Sequence, residues 1–170
     1  MEFHVAQLLQ EAVGSRREYH VDDCHVQEAS GAITGDVLLL RTDAGILATA
    51  DLLTAVAVCC SRCLAATRVP VRLRIEEEYY PTLDVATGTP LPPPDEPSSF
   101  FIDEHHILDI REALRQQLVL AEPMQPLCRE DCAGLCPICG ADRNLGLCAC
   151  SGGEIDTRWA VLQDLMKGSD

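Results

Sequence analysis

Residues 31–58 read GAITGDVLLLRTDAGILATADLLTAVAV, and residues 69–80 read VPVRLRIEEEYY. In the second stretch Val69, Val71, Leu73 and Ile75 fall on one face and Arg72 and Arg74 on the other. That period of two marks a half-buried strand. The first stretch divides at Thr42-Asp43-Ala44-Gly45, a turn-forming run between two apolar ones, and so predicts two strands joined there. Together they predict an antiparallel β unit. An earlier strand around Arg17–Val21 is expected to join the same sheet, after a short helix over Val5–Val13.

Outward from this unit the composition changes. Between Glu76 and Ile110 there is no Lys or Arg, while nine acids and six of the ten prolines lie there, LPPPDEPSS at the centre. Prolines and like charges both oppose packing, so residues 81–108 are expected as an exposed acidic loop. A helix is expected from Asp109: Asp109 as cap, Glu112 completing a capping box, and Ile110, Ala113, Leu114, Leu118 and Ala121 as the apolar face, with Pro123 ending it. The last element, DTRWAVLQDLMKG, has Asp156 as cap, Trp159, Leu162, Leu165 and Met166 as an apolar stripe, and Gly168 as terminator.

The fold class expected is therefore α+β: an antiparallel sheet or partial barrel, then a helix, a cysteine-rich knuckle and a C-terminal helix. The domain organisation expected is a mainly antiparallel β part over 1–80, the acidic proline-rich loop over 81–108, and a helical and cysteine-rich part over 109–170 packed on the first part as one domain.

With 170 residues, 47% hydrophobic and 24% charged, the chain has globular composition despite a formal net charge of −14. An acidic chain of pI about 4.6 is a poor non-specific binder of bulk nucleic acid, whose phosphates are held by positive charge, and is better suited to basic protein partners. The N-terminal stretch has no basic n-region followed by an apolar core, and no apolar run reaches the roughly 18 residues of a membrane span. A cytoplasmic protein without membrane contact is expected. Thiols stay reduced in that compartment, so ten cysteines point to metal before disulfides.

Six of the cysteines lie in CREDCAGLCPICGADRNLGLCAC, residues 128–150. Cys136-Pro137-Ile138-Cys139-Gly140 is a knuckle in which two thiolates can share one Zn²⁺ while a tight turn aims backbone N–H groups at the sulfurs. Cys148 and Cys150 follow it and Cys128 and Cys132 precede it, so a four-sulfur site can be completed from either side. Cys60 and Cys63, in CSRCL between two expected strands, bring the total to eight, the arithmetic of two Cys₄ sites. One assignment gives Cys136, Cys139, Cys148 and Cys150 to a first zinc and leaves Cys60, Cys63, Cys128 and Cys132 for a second that staples knuckle to sheet. A buried or half-buried thiol pair at a strand end is the alternative for Cys60 and Cys63. Cys24 and Cys59 are expected as small hydrophobes.

All-sulfur sites leave no coordination position for water or substrate, which makes them structural and argues against hydrolysis. The motifs of nucleotide-binding loops, of serine hydrolases and of zinc proteases are missing, and the adjacent His105 and His106 diverge on either a strand or a helix, so no enzyme is indicated. A thiol redox role for Cys136 and Cys139 competes with zinc, but the surroundings lack a βαβ setting. One feature opposes the overall acidity: Arg62, Arg68, Arg72 and Arg74 lie together without an acid among them. Pointing outward from one strand they would form a basic ridge for phosphate or RNA contact; an ordinary solvated strand face is the plainer reading.

Taken in order, CSRCL, LDIREALRQQLVLAEPMQPLC, DCAGLCPICGADRNLGLCAC and IDTRWAVL resemble the YceD-like family of bacteria and plastids, the large ribosomal RNA subunit accumulation proteins, in its zinc-knuckle-bearing branch. The resemblance spans roughly residues 30–167. The family's C-x-R-C-L is carried by Cys60, Arg62, Cys63 and Leu64, its C-x-G-L-C-P-x-C-G by Cys132 through Gly140, and its closing C-x-C by Cys148 and Cys150. Departures are small: Asp142, Arg143 and Asn144 stand where many members have Asn-Leu-Asn, and Asp156, Thr157 and Arg158 where Asp-Pro-Arg is usual. Some relatives lack the downstream cysteines, which implies that metal stabilises this branch's fold and is not the shared activity.

The resemblance implies a non-enzymatic role in accumulation or processing of 23S ribosomal RNA and in large-subunit assembly. Assembly intermediates or basic ribosomal and assembly proteins are the partners it implies, with direct RNA contact open. One zinc is expected, with a second site open. A zinc-stabilised interaction module unrelated to ribosomes, and the thiol redox protein above, are the alternatives.

Overall fold

A computed structural model describes residues 1–24, 29–94, 99–146 and 148–150. Among the described residues, seven strands and two helices follow in the order β1 (Glu2–His4), α1 (Ala6–Gln10), β2 (Arg16–Cys24), β3 (Ile33–Arg41), β4 (Ile46–Cys59), β5 (Ala66–Pro81), β6 (Phe100–Ile102), β7 (Ile107–Asp109) and α2 (Arg111–Ala121). The strands form one sheet in the order β1-β7-β6-β5-β4-β3-β2. Neighbours run antiparallel except β5 and β6, whose parallel pairing is limited to Tyr79↔Phe100, Tyr80↔Phe101 and Pro81↔Ile102.

The long strands follow the alternation in the sequence. On β4, Ile46, Ala48, Ala50, Leu52, Val56 and Val58 are buried, and on β5 Val71, Leu73, Ile75 and Tyr79, while Arg68, Arg72 and Arg74 face outward. The β3–β4 turn is residues 42–45, closed by Gly45 N–H and Thr42 Oγ1 at 2.9 Å. Pro70 sits where, among the described residues, β5 pairs with β4 alone, so its missing N–H interrupts no second ladder there.

The sheet curls. Phe3 on β1 and Tyr19 on β2 belong to strands at opposite ends of the sheet order, yet their ring centroids are 4.8 Å apart. The main core joins both ends of the sheet with Leu8 and Leu9 of α1 and Ala113, Leu114 and Leu118 of α2, and a smaller buried cluster forms around Cys60, Cys63 and Cys132.

Several expectations need correction. The acidic stretch 81–108 is not loop throughout: Phe100–Ile102 and Ile107–Asp109 are strands, and Ile102 and Leu108 are fully buried. Apolar residues there outweigh the flanking prolines and acids. β1 has too few residues to show a period. The expected capping box does not form. Ile110 is the cap residue; Asp109, ending β7, accepts from Arg111 N–H at 3.0 Å, and Glu112 turns forward to Arg115 and Gln116. Those two partners hold the Glu112 carboxyl down at about 2. The first helix spans five residues, shorter than Val5–Val13. The element expected from Asp156 to Gly168 lies outside the described residues. No helix among the described residues is long and apolar enough to cross a membrane.

Candidate metal centres

The β4–β5 connection is a cysteine turn. Leu64 N–H donates to Cys60 O at 2.9 Å and Cys60 N–H to Ala65 O at 2.9 Å, which brings both sulfurs to the same side. Cys136–Ala141 repeats the pattern: Gly140 N–H to Cys136 O at 2.9 Å and Cys136 N–H to Ala141 O at 2.8 Å. In both turns the residue after the second cysteine is left-handed, Leu64 at φ 60° and Gly140 at φ 71°. Glycine takes that conformation without strain, whereas leucine does not.

Each turn meets two further cysteines. Cys60, Cys63, Cys128 and Cys132 bring their sulfurs within 4.8 Å of one another, and so do Cys136, Cys139, Cys148 and Cys150. In the first group the Cys60–Cys132 and Cys63–Cys128 sulfurs are 3.8 and 3.6 Å apart. A disulfide would need about 2.05 Å. A tetrahedron of sulfurs at about 2.3 Å from a central zinc has edges of about 3.8 Å, so the donor set fits a tetrahedral thiophilic cation. Both groups could hold a metal ion. Their exposure differs: Cys60, Cys63 and Cys132 are buried with Cys128 at the surface, while in the second group only Cys136 is buried.

The electrostatics of the bare thiols point the same way. Backbone N–H groups, that of Cys63 foremost, pull the Cys60 thiol down to about 6, and those of Cys139 and Ile138 do the same for Cys136. Burial and the neighbouring thiols push Cys128 up to about 12; Cys139 beside it, and burial, push Cys150 up to about 12. Each group thus contains a sulfur prepared for negative charge and one that resists it. Four thiolates this close coexist only around a cation.

The first group joins distant parts of the chain. Cys60 and Cys63 stand at the end of the long β4–β5 hairpin, and Cys128 and Cys132 in the loop after α2. Ser61 N–H donates to Pro126 O at 2.8 Å, Leu135 N–H to Arg62 O at 3.1 Å, and Arg62 Nη1 to Cys132 O at 3.0 Å. Gly134, at φ 69°, passes so close that an added Cβ would lie 3.1 Å from Arg62 O. Asn144, which follows Cys139 and precedes Cys148 in the chain, donates from Nδ2 to Cys132 Sγ at 3.4 Å.

Of the four arginines, the structure sets Arg68, Arg72 and Arg74 in a row on the outer face of β5, with Arg62 apart in the cysteine turn. Arg72 is held by the Asp51 carboxylate through both Nε and Nη2, and Arg62 is held by Cys132 O. Arg68 and Arg74 form no ion pair among the described residues. Cys59, expected as a small hydrophobe, is exposed because the β4 alternation turns it outward. The side chain of Cys24 lies outside what is described.

A curled, mostly antiparallel sheet whose longest hairpin ends in one Cys₄ group, with a second Cys₄ group further along the chain, defines a class of protein with two all-sulfur groups that could each hold a metal ion. The chain belongs to the YceD family, described as large ribosomal RNA subunit accumulation protein YceD, whose profile matches residues 48–166. It is also similar to uncharacterized proteins of Mycobacterium tuberculosis and Mycobacterium bovis, at 30% identity over 135 residues, 77% of this chain and 60% of theirs. The chain therefore spans about 60% of the length of these curated relatives. No solved structure matches it significantly.

Proposed function

We propose that this chain is a non-enzymatic cytoplasmic factor in the accumulation of 23S ribosomal RNA and the assembly of the large ribosomal subunit, held together by two structural zinc centres. The observation that carries the ribosomal reading is the family match over residues 48–166. For zinc, the support is the pair of four-sulfur groups, each with its sulfurs within 4.8 Å of one another, and in the first group two sulfur–sulfur distances close to tetrahedral edges. Zinc would be held by Cys60, Cys63, Cys128 and Cys132 in one centre and by Cys136, Cys139, Cys148 and Cys150 in the other. Its charge would offset the crowded thiolates and fix the loop after α2 to the hairpin. With all four positions taken by sulfur, neither centre offers a place for a substrate.

The residues left for partner contact are electrostatic. A net charge of −14 favours basic ribosomal or assembly proteins. Arg68 and Arg74 are the members of the arginine row suited to phosphate, because Arg72 and Arg62 are already engaged. On this reading the 1–80 β part and the 109–170 part act as one domain, and the acidic stretch between them meets the partner.

The test is co-sedimentation of the purified chain with large-subunit precursor particles across a salt series. Binding that weakens with salt, and that is lost when the acids between residues 84 and 104 are neutralised, supports the adaptor reading. Salt-independent binding unchanged by neutralisation contradicts it.

A further inference from the structure

The two cysteine groups are connected through one side chain that neither would use as a ligand. Asn144 stands in the loop that Cys139 and Cys148 close, and so belongs to the second group by position. Its amide is nevertheless spent largely on the first. Nδ2 donates to Cys132 Sγ at 3.4 Å and to Asp142 Oδ1 at 2.7 Å. Oδ1 accepts from Ala133 N–H at 2.8 Å and from Arg129 Nη2 at 2.8 Å. Two N–H donors and two lone pairs are the full capacity of a primary amide, and all four are used. The partners also fix which way round the amide sits, since a backbone N–H and a guanidinium can only donate to it.

We propose that Asn144 is a positioning residue that couples the two metal centres: closing the second centre places the Asn144 amide on the Cys132 sulfur, and that contact tightens the first centre's hold on its metal. The inference rests on the reading of both groups as zinc centres. Four thiolates around a dication leave an excess of two negative charges, and an N–H aimed at a sulfur offsets part of it. Arg129 and Ala133 flank Cys132, so the other half of the amide clamps the chain on which that ligand sits. With the second centre open, the loop carrying Asn144 loses its closure and the donor leaves Cys132. Loading is then linked, and by reciprocity metal in the first centre favours closure of the second.

The test uses the full chain and Cd²⁺, with one ¹¹³Cd resonance per centre and affinities from chelator competition. Loss of an outer hydrogen bond to a metal ligand commonly weakens binding about 10- to 100-fold. Asn144→Ala should weaken the first centre by that order. A chain whose second centre is disabled by Cys139→Ser and Cys148→Ser should show a first centre already weakened to the same degree, and adding Asn144→Ala there should change it less than about twofold. Equal effects of Asn144→Ala in both backgrounds would overturn the coupling, because independent contributions add. Asn144→Asp keeps acceptors for Arg129 and Ala133 but cannot donate to sulfur, so it should weaken the first centre as alanine does. Full affinity in Asn144→Asp would reduce Asn144 to a loop clamp and overturn the proposal. A chain that binds no Cd²⁺ through Cys60, Cys63, Cys128 and Cys132 overturns the zinc reading itself.

Discussion

Leu64 and Gly140 occupy the same position in two matching cysteine turns. Each follows the second cysteine, each is left-handed, and each N–H donates at 2.9 Å to the carbonyl of the first. One turn is closed by the residue suited to it and the other by a strained leucine that is 65% exposed.

Leu64→Gly should therefore stabilise the protein by about 1 kcal/mol, because left-handed strain is relieved and little packing is lost. Gly140→Ala should destabilise it by a similar amount. Denaturant melts of both variants check the pair; a destabilised Leu64→Gly chain would show that the exposed side chain does more than tolerate its place.

The two ends of the curled sheet meet where the Phe3 ring packs against the Tyr19 ring. Phe3 is 8% exposed, so Phe3→Ala removes a buried ring and should cost about 3 kcal/mol. A loss under 1 kcal/mol in equilibrium unfolding would mean that the ends are held together by other contacts.

His20 lies across from Asp36 at 2.6 Å and beside Asp22 at 3.1 Å on the outer face. The hydrogen bond to Asp36, then the Asp22 charge, raise the imidazole above its ordinary 6.5. A raised folded pKa means that the pair's stabilisation is fully present below pH 6.5 and is lost as pH rises through the folded value. These groups are solvent-exposed, so the effect on stability is small and the titration itself is the better readout. An NMR titration should place His20 above 6.5 and show it falling in Asp36→Asn; an unchanged value would remove Asp36 as the cause.

The long strands were legible because Ile46–Cys59 and Ala66–Pro81 bury one face, and burial on one face imposes a period of two. The eight cysteines were legible by spacing, and the grouping of Cys60 and Cys63 with Cys128 and Cys132 was one arithmetical option that the fold makes geometrically close. β1, β6 and β7 were not legible: strands of three residues are too short for a period, and what makes them strands is pairing with distant chain. Asp109 illustrates the same limit, since β7 takes it and shifts the helix cap onto Ile110. Asn144 was hidden for another reason. An Asn in a cysteine loop reads as a turn residue, and only the fold brings it to Cys132.

Elemental analysis of protein purified under reducing conditions, with native thiol titration, decides whether the two cysteine groups hold metal. Two zinc ions per chain, with the eight grouped cysteines protected and the exposed Cys59 reactive, is the predicted result. Metal-free protein whose grouped thiols react freely, or which isolates with disulfides among them, would contradict it.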